Sequence, residues 1–264
     1  MPSARRQDTS RDMARPVTGE KLGREPKKFF MTLRDIAFWV RSARTDATLE
    51  KLQVEHGSQK AFDLLYSRKS DPFSSGLSCY RYQKLKYEKL ISFLPKRNYP
   101  NVLDVGCGLG PFTRELSPYS GRVLGVDLSE QALIQARDCS RGYPNMRFEQ
   151  RDIQHIGKIQ ETFDLIAVLD VLYYLPNLSN EMLKSVAGQL ESLLAPGGLL
   201  LLVNHFFFRV DPASRQTRRI HDSFQGNTSL QLVSENKRAF YLASLYSKGK
   251  PGEKPEEIRQ KPLN

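Results

Sequence analysis

The feature that most constrains this chain is an alternation that begins at Val102. "NVLDVG" is an apolar run closed by glycine, "PFTRELSPY" opens a helical pattern, "RVLGVDLS" is a second apolar run and "EQALIQARDCS" a second helix. "MRFEQRD" and "FDLIAVLDVLYYL" read as third and fourth strands, "NEMLKSVAGQLESLL" as an amphipathic helix closed by Pro196-Gly197-Gly198, and "LLLLVNHFFF" as a fifth strand. Buried runs that alternate with helices in this way require a parallel sheet covered on both faces. "LQLVSEN" and "AFYLASLYS" lie close enough together to end the fold as an antiparallel hairpin.

Upstream, Ile36, Val40, Leu49, Leu52, Phe62, Leu64 and Leu65 predict one or two helices with a break near Gly57. Asp71-Pro72 stops that pattern, and "CYRYQKLKYEKLISFLP" resumes it until Pro95. The chain therefore divides into a basic tail (1–28), an N-terminal helical region (29–95), the α/β domain (96–247) and a second tail (248–264). Both tails are polar, contain Pro and Gly, and lack periodicity, so disorder is expected there. They also carry more than half of the net charge of +11: eight basic against four acidic residues in the first, five against three in the second. Such charge reads as solubilising and argues against nucleic acid as the partner, with docking on RNA or anionic lipid as the alternative. Cys79, Cys107 and Cys139 are too few and scattered for a disulfide framework or a zinc cage. No apolar run is long enough to span a bilayer and the N-terminus has no secretory h-region, so a cytoplasmic location is expected.

In "VLDVGCGLGPF", Gly106, Gly108 and Gly110 occupy alternate positions immediately after the first strand. Sheets of this kind bind ligands beyond the carboxyl ends of their strands, and residues without Cβ allow a ligand close to the backbone there. Three acids narrow the ligand. Asp104, just before the turn, would repel a pyrophosphate and attract an ammonium or another cation. Asp127 ends the second strand, where a carboxylate can accept both ribose hydroxyls. Asp152 ends the third, placed to accept from the exocyclic amine of adenine. An adenosine with a zwitterionic, cationic tail in place of phosphates is S-adenosylmethionine. Each acid also has a plain reading as a helix cap or turn residue.

"VLDVGCGLG", "VLGVDLS", "FDLIAVLDVLYYL" and "LAPGGLLLL" resemble, in order, the motifs of class I SAM-dependent methyltransferases, over about residues 60 to 247. Within that class, "DPF…YRYQKLKYEKLISFLPKRNYPNVLDVGCGLGPFTRELSP" and "VLYYL" resemble the nodulation-type (NodS-like) methyltransferases. The resemblance implies a doubly wound, Rossmann-like seven-stranded α/β sheet with its last strand antiparallel, under an N-terminal helical lid. It implies that Asp104, Gly106 and Gly108 hold the methionine part, with Gly110 completing the loop. Asp127, with Leu128 beside it, would hold the ribose; Asp152 and Ile153 would hold the adenine, with Leu169 at the motif after the fourth strand. The stretch "NHFFFRVDPASRQTRRIHDSF" departs from the nodulation enzymes in the region that shapes the acceptor pocket.

The acceptor expected is a small molecule or a saccharide, methylated on O or N. Where amino-methylating nucleic-acid enzymes carry an Asn/Asp-Pro-Pro-aromatic run, this chain has "LDVLYYL"; no nucleophilic Cys stands there either, and Asp170 alone makes a poor metal site. Tyr173, Tyr174 and "HFFF" (205–208) offer an aromatic floor for a sugar ring, and equally ordinary core. Arg218, Arg219 and His221 offer an anion site, and equally a solvated helix face. His205, at the end of the fifth strand, is the candidate base. His56 and His155 read as surface residues. An RNA or protein methyltransferase, or a SAM-binding protein without turnover that docks through its tails, is the alternative.

Overall fold

The computed structural model describes residues 33–75, 81–176, 178–206, 212–238 and 240–249. Three helices come first: α1 (Leu33–His56), α2 (Ser58–Arg68) and α3 (Arg81–Phe93). The break between α1 and α2 is Gly57, whose φ of 77° is a left-handed value. The rest is β1 (Tyr99–Val105), α4 (Pro111–Leu116), β2 (Ser120–Asp127), α5 (Glu130–Cys139), β3 (Met146–Gln150), β4 (Phe163–Leu169), α6 (Asn180–Leu193), β5 (Leu194–Phe206), α7 (Pro212–Asn227), β6 (Gln231–Arg238) and β7 (Phe240–Ser247).

The seven strands form one sheet in the order β3-β2-β1-β4-β5-β7-β6. Strands β3 to β5 run parallel, and β7 is antiparallel to both of its neighbours. The order reverses between β1 and β4, so a crevice opens beyond their carboxyl ends. The strands read as unbroken apolar runs because both faces are covered. Leu103, Val105, Ile166, Val168, Leu200 and Leu202 pack with α6 and α7; Val102, Leu165, Ala167, Leu201 and Val203 pack with residues of α3 and α4.

Three expectations need correction. β4 ends at Leu169 and does not run on to Leu175: Asp170 turns left-handed (φ 56°), its N–H donates to Val203 O at 2.8 Å, and Leu172–Tyr174 form a 3₁₀ turn. β5 begins at Leu194, so Pro196-Gly197-Gly198 lie inside the strand instead of separating it from α6. The C-terminal tail does not begin at Lys248, which is anchored: its backbone exchanges hydrogen bonds with Gly197 and Gly198, and its Nζ donates to Glu191 O and Leu194 O at 2.9 and 2.8 Å. The basic tail 1–28 and residues 250–264 lie outside the described residues, as do Phe207 and Phe208. No described helix is long and apolar enough to cross a membrane.

Candidate functional site

At the switch point the chain leaves β1 through Gly106, whose φ is 71°. A Cβ there would stand 2.2 Å from Val171 Cγ2, so the loop approaches the β4 turn more closely than any side chain permits. The Gly108 N–H donates to Asp127 Oδ2 at 2.8 Å, and the Ser129 N–H donates to Asp127 Oδ1 at 2.9 Å. These bonds fix the carboxylate at the end of β2. Each of its oxygens keeps a lone pair for a further donor. Burial raises the Asp127 pKa, and the amide hydrogen bonds from Ser129, Gly108 and Leu128 oppose that rise.

Asp104 is 2% exposed, yet its side chain borders the same cleft. Burial pushes its pKa up to about 7; the Thr113 hydroxyl, which donates to Oδ2 at 2.6 Å, opposes the rise, and the Asp127 charge adds to it. A buried carboxylate in this condition favours a cation beside it. The cleft has a volume of about 490 Å³, within the range of about 300–1,000 Å³ that holds drug-sized ligands. Asp104, Gly106, Gly108, Asp127, Leu128, Asp152, Ile153 and Leu169 all line it, as do Tyr173, Tyr174 and His205. Asp152 also caps the 3₁₀ turn after β3 by accepting from the Gln154 N–H at 2.9 Å, so the cap reading and the cleft position both hold.

Gly110 and His221 lie elsewhere. Gly110 is the left-handed N-cap of α4, and a Cβ on it would crowd the Phe148 ring at 3.1 Å. It is glycine for the turn and for packing, and it does not line the cleft. His221 is 2% exposed on the inner face of α7, with Nδ1 at 2.8 Å from Ser244 Oγ. Burial, with the Arg218 charge, lowers its pKa to about 3, so it is a neutral core residue and not an acceptor ligand. Arg218 pairs with Glu235, and Arg219 donates to Leu178 O. Phe206 is core at 3% exposed, while His56 and His155 are exposed.

The far half of the cleft is aromatic and acidic. Tyr173 lies edge-on to His205, with ring centroids 4.5 Å apart, and touches Tyr174 at 4.4 Å. Tyr174 donates to Asp46 Oδ1 at 2.8 Å and accepts at its carbonyl from Gln53 Nε2, which ties the 3₁₀ turn to α1. Phe62 and Phe73 pack on its ring at 5.8 and 5.6 Å. Burial holds both tyrosine hydroxyls well above the usual phenol range, so they remain donors. Sequence reasoning missed two elements here. Asp63 of α2 accepts from Ser129 Oγ at 2.7 Å, which fastens the helical region to the segment that carries Asp127. Lys86 of α3, 4% exposed, forms an ion pair with Asp170. Neither has a local signal, since each pair joins residues more than sixty positions apart.

The family model for nodulation protein S (NodS) matches residues 62–235. Nodulation protein S of Rhizobium tropici is 32% identical over 119 residues, 45% of this chain and 49% of that protein. The trans-aconitate 2-methyltransferase of Deinococcus radiodurans is 32% identical over 111 residues, 42% and 40% of the two chains. A ubiquinone biosynthesis O-methyltransferase of Coxiella burnetii is 33% identical over 119 residues, 44% and 47% of the two. The chain thus spans about half the length of the curated relatives it matches. Among solved structures, the N-methyltransferase NodS from Bradyrhizobium japonicum WM9, in complex with S-adenosyl-L-homocysteine, superposes with a TM-score of 0.59 at 20% identity, covering 79% of this chain and 98% of that one. The PH0226 protein from Pyrococcus horikoshii OT3 gives 0.56 at 20% identity, over 69% and 98%. Those two likenesses concern the fold; the family model, which covers more than half of the chain, places it in the NodS family.

Proposed function

We propose that this protein is a SAM-dependent methyltransferase that acts on an N or O atom of a small-molecule or saccharide acceptor. One observation carries the reading: Asp104, Asp127 and Asp152, from the ends of three neighbouring strands, converge on a single cleft beside a glycine turn. The donor set fits S-adenosylmethionine and does not fit a dinucleotide. Asp104 favours a cation, Asp127 offers two fixed oxygens to a ribose diol, and the cleft's Lys86 and Arg151 are already paired with Asp170 and Glu149. Ile153 and Leu128 supply apolar walls, and Leu169 closes the floor at the end of β4. The membership in the NodS family and the methyltransferases among its relatives support the same reading.

Bound there, the sulfonium cofactor supplies an electrophilic methyl group. The chain's task is to align the acceptor with it and to exclude water, for which orientation supplies about 7–11 kcal/mol. Tyr173 and Tyr174 line the acceptor half as rings, the Tyr174 hydroxyl donating to Asp46, and such polar-edged rings suit a sugar or another polar ring. His205 stands at the carboxyl end of β5, where a base can take the acceptor's proton. If the acceptor is a hydroxyl, His205→Ala lowers kcat by about 10²–10⁴-fold with SAM affinity kept; with an amine the loss is smaller and is recovered at higher pH. The test of the whole reading is calorimetry with SAM and NADH, followed by assay of S-adenosylhomocysteine release on a panel of amino sugars, glycans and total RNA. Binding of NADH in preference to SAM would overturn it.

A further inference from the structure

Lys86 and Asp170 come from elements that have no reason of their own to meet. The Lys86 side chain is 3% exposed, and it forms an ion pair with Asp170 Oδ2 while its Nζ lies 5.8 Å from the centre of the Tyr241 ring. Asp170 Oδ1 is enclosed by protein and has no hydrogen-bond partner among the described residues, so within them the ammonium is what answers this carboxylate. Either charge without the other would be uncompensated in a poor solvent. The backbone of Asp170 is constrained as well. A φ of 56° in a non-glycine residue persists only where its surroundings enforce it. Asp170 also carries the residue after it. The turn is pinned at one end by the bond from Asp170 N–H to Val203 O at 2.8 Å and at the other by that from Tyr174 N–H to Val171 O at 3.0 Å. Between these pins Val171 stands so close to Gly106 that only hydrogen fits there. The glycine turn in its turn gives its amides to β2. Gly106 and Cys107 N–H donate to Val126 O at 2.8 and 3.0 Å, and Gly108 N–H donates to Asp127 Oδ2. Contacts thus run without a gap from Lys86 through Asp170 and Val171 to the loop that fixes Asp127.

We propose that Lys86 is a positioning residue for the cofactor: by pairing with Asp170 it holds the β4 turn left-handed, and so keeps Val171 seated on Gly106 and the glycine loop in register with Asp127. This rests on the SAM reading of the cleft and adds to it the side chain that sets the loop from outside, without a contact between Lys86 and the ligand. Loss of the ammonium leaves the Asp170 carboxylate without its counter-charge. The carboxylate then turns toward water, the left-handed backbone loses what enforces it, and Val171 is drawn off Gly106. A glycine so released has a wide range of φ open to it, and the amide that holds Asp127 Oδ2 moves with it. One consequence is specific to this chain of contacts. Glycine at position 170 adopts φ 56° without strain and has no charge to bury, so it makes Lys86 dispensable.

The test is calorimetry with S-adenosylhomocysteine at neutral pH, below the melting temperature of each variant, joined to amide hydrogen exchange on the ligand-free proteins. Lys86→Met is expected to weaken binding by about tenfold, a usual size for coupling between groups that do not touch. Lys86→Arg, which keeps the cation, should bind like the wild type. The double variant Lys86→Met/Asp170→Gly should also return to the wild-type affinity, although it lacks both charges. In Lys86→Met the amides of residues 104–110 and 168–175 should exchange faster, while those of α6 keep their protection; the double variant should restore the slow exchange. An ion pair that merely adds stability would lower the melting temperature of Lys86→Met and leave the affinity of the folded protein where it was. That outcome overturns the proposal. So does a folded double variant that binds as poorly as Lys86→Met, since Lys86 would then act by another route. A wild type that does not bind S-adenosylhomocysteine overturns the cofactor reading instead, and the exchange arm, which needs no ligand, still decides whether Lys86 holds the two turns together.

Discussion

Asp127 and Asp104 differ in what their surroundings ask of a ligand. Asp127 is already held by the Gly108 and Ser129 amides, so a diol bound there would meet a fixed carboxylate. Asp127→Ala should weaken SAM binding by about 1–3 kcal/mol, the cost of burying hydroxyls that lose their acceptor; unchanged affinity in calorimetry would remove Asp127 from the site. Asp104 is held by Thr113 and by burial, with a pKa of about 7 against 3.8 for the unperturbed group. Because folding raises this pKa, the carboxyl contributes stability that is full below about 3.8 and is lost as pH rises through about 7. A cation bound beside it reverses the preference. Near pH 6 the free protein carries the proton and must release it on binding, so SAM affinity should climb with pH up to about 7 and then level off. Calorimetry in buffers of different ionisation enthalpy should register the released proton near pH 6 and none above pH 8. Thr113→Val, which removes the bond that favours the charged form, should move the break to higher pH. A flat affinity profile across this range would show that no cation meets Asp104.

Among the elements, the turn after β1 and the turn after β4 depend on each other, because Gly106 has room only for hydrogen where Val171 passes. Gly106→Ala adds both a clash and a left-handed alanine. In a Val171→Ala background the 2.2 Å contact is gone and only the tight 3.3 Å approach to the Cβ of residue 171 is left, so the substitution should cost about 1–2 kcal/mol in urea unfolding, chiefly the conformational share. In the parent background it should cost more. Equal costs in the two would mean that the two turns do not touch. The glycine turn, the parallel strands and the acids at their ends were legible because each is a local pattern: an apolar run, a bare turn, a carboxylate. The β4 turn was not. Asp170 breaks the strand without glycine or proline, inside a run whose apolar character continues through Tyr174. For α7 the sequence offered a solvated helix face, and its buried side was hidden for another reason. Its buried stripe is Ser214, Thr217, Ile220, His221 and Phe224, spaced as a helix requires but made largely of polar residues, so hydrophobic periodicity barely registers. The same mixture made His221 look like a surface ligand. Lys86 sits in an amphipathic pattern where lysine normally faces water, and only its packing against Asp170 shows otherwise.

For the molecule as a whole, the two edges of the sheet carry different duties. The carboxyl edge bears the cleft, and the opposite edge is closed by the last residues of the described chain. There Gly197 N–H donates to Lys248 O at 2.8 Å and Lys248 N–H donates to Gly198 O at 2.9 Å, which extends the β5–β7 ladder by one step. The Lys248 ammonium also caps two carbonyls where α6 meets β5, where a helix C-terminus favours a cation. Chains cut after Gly249 and after Ser247 should therefore behave differently. The first keeps the whole clasp and should melt with the full chain, since the residues beyond it have no core periodicity. The second loses the backbone step and the ammonium together. Lys248→Met separates the two, because it keeps the backbone bonds and should cost about 1–3 kcal/mol, as hydrogen bonds from a charged donor do. At about 2–4 °C per kcal/mol for a domain of this size, the loss is visible in a thermal melt. All three should bind SAM like the full chain at temperatures where they remain folded, because the clasp and the cleft lie at opposite ends of β5. A chain cut after Ser247 that melts unchanged would show the clasp to be idle. One that keeps its fold yet loses SAM affinity would show that the two edges are coupled.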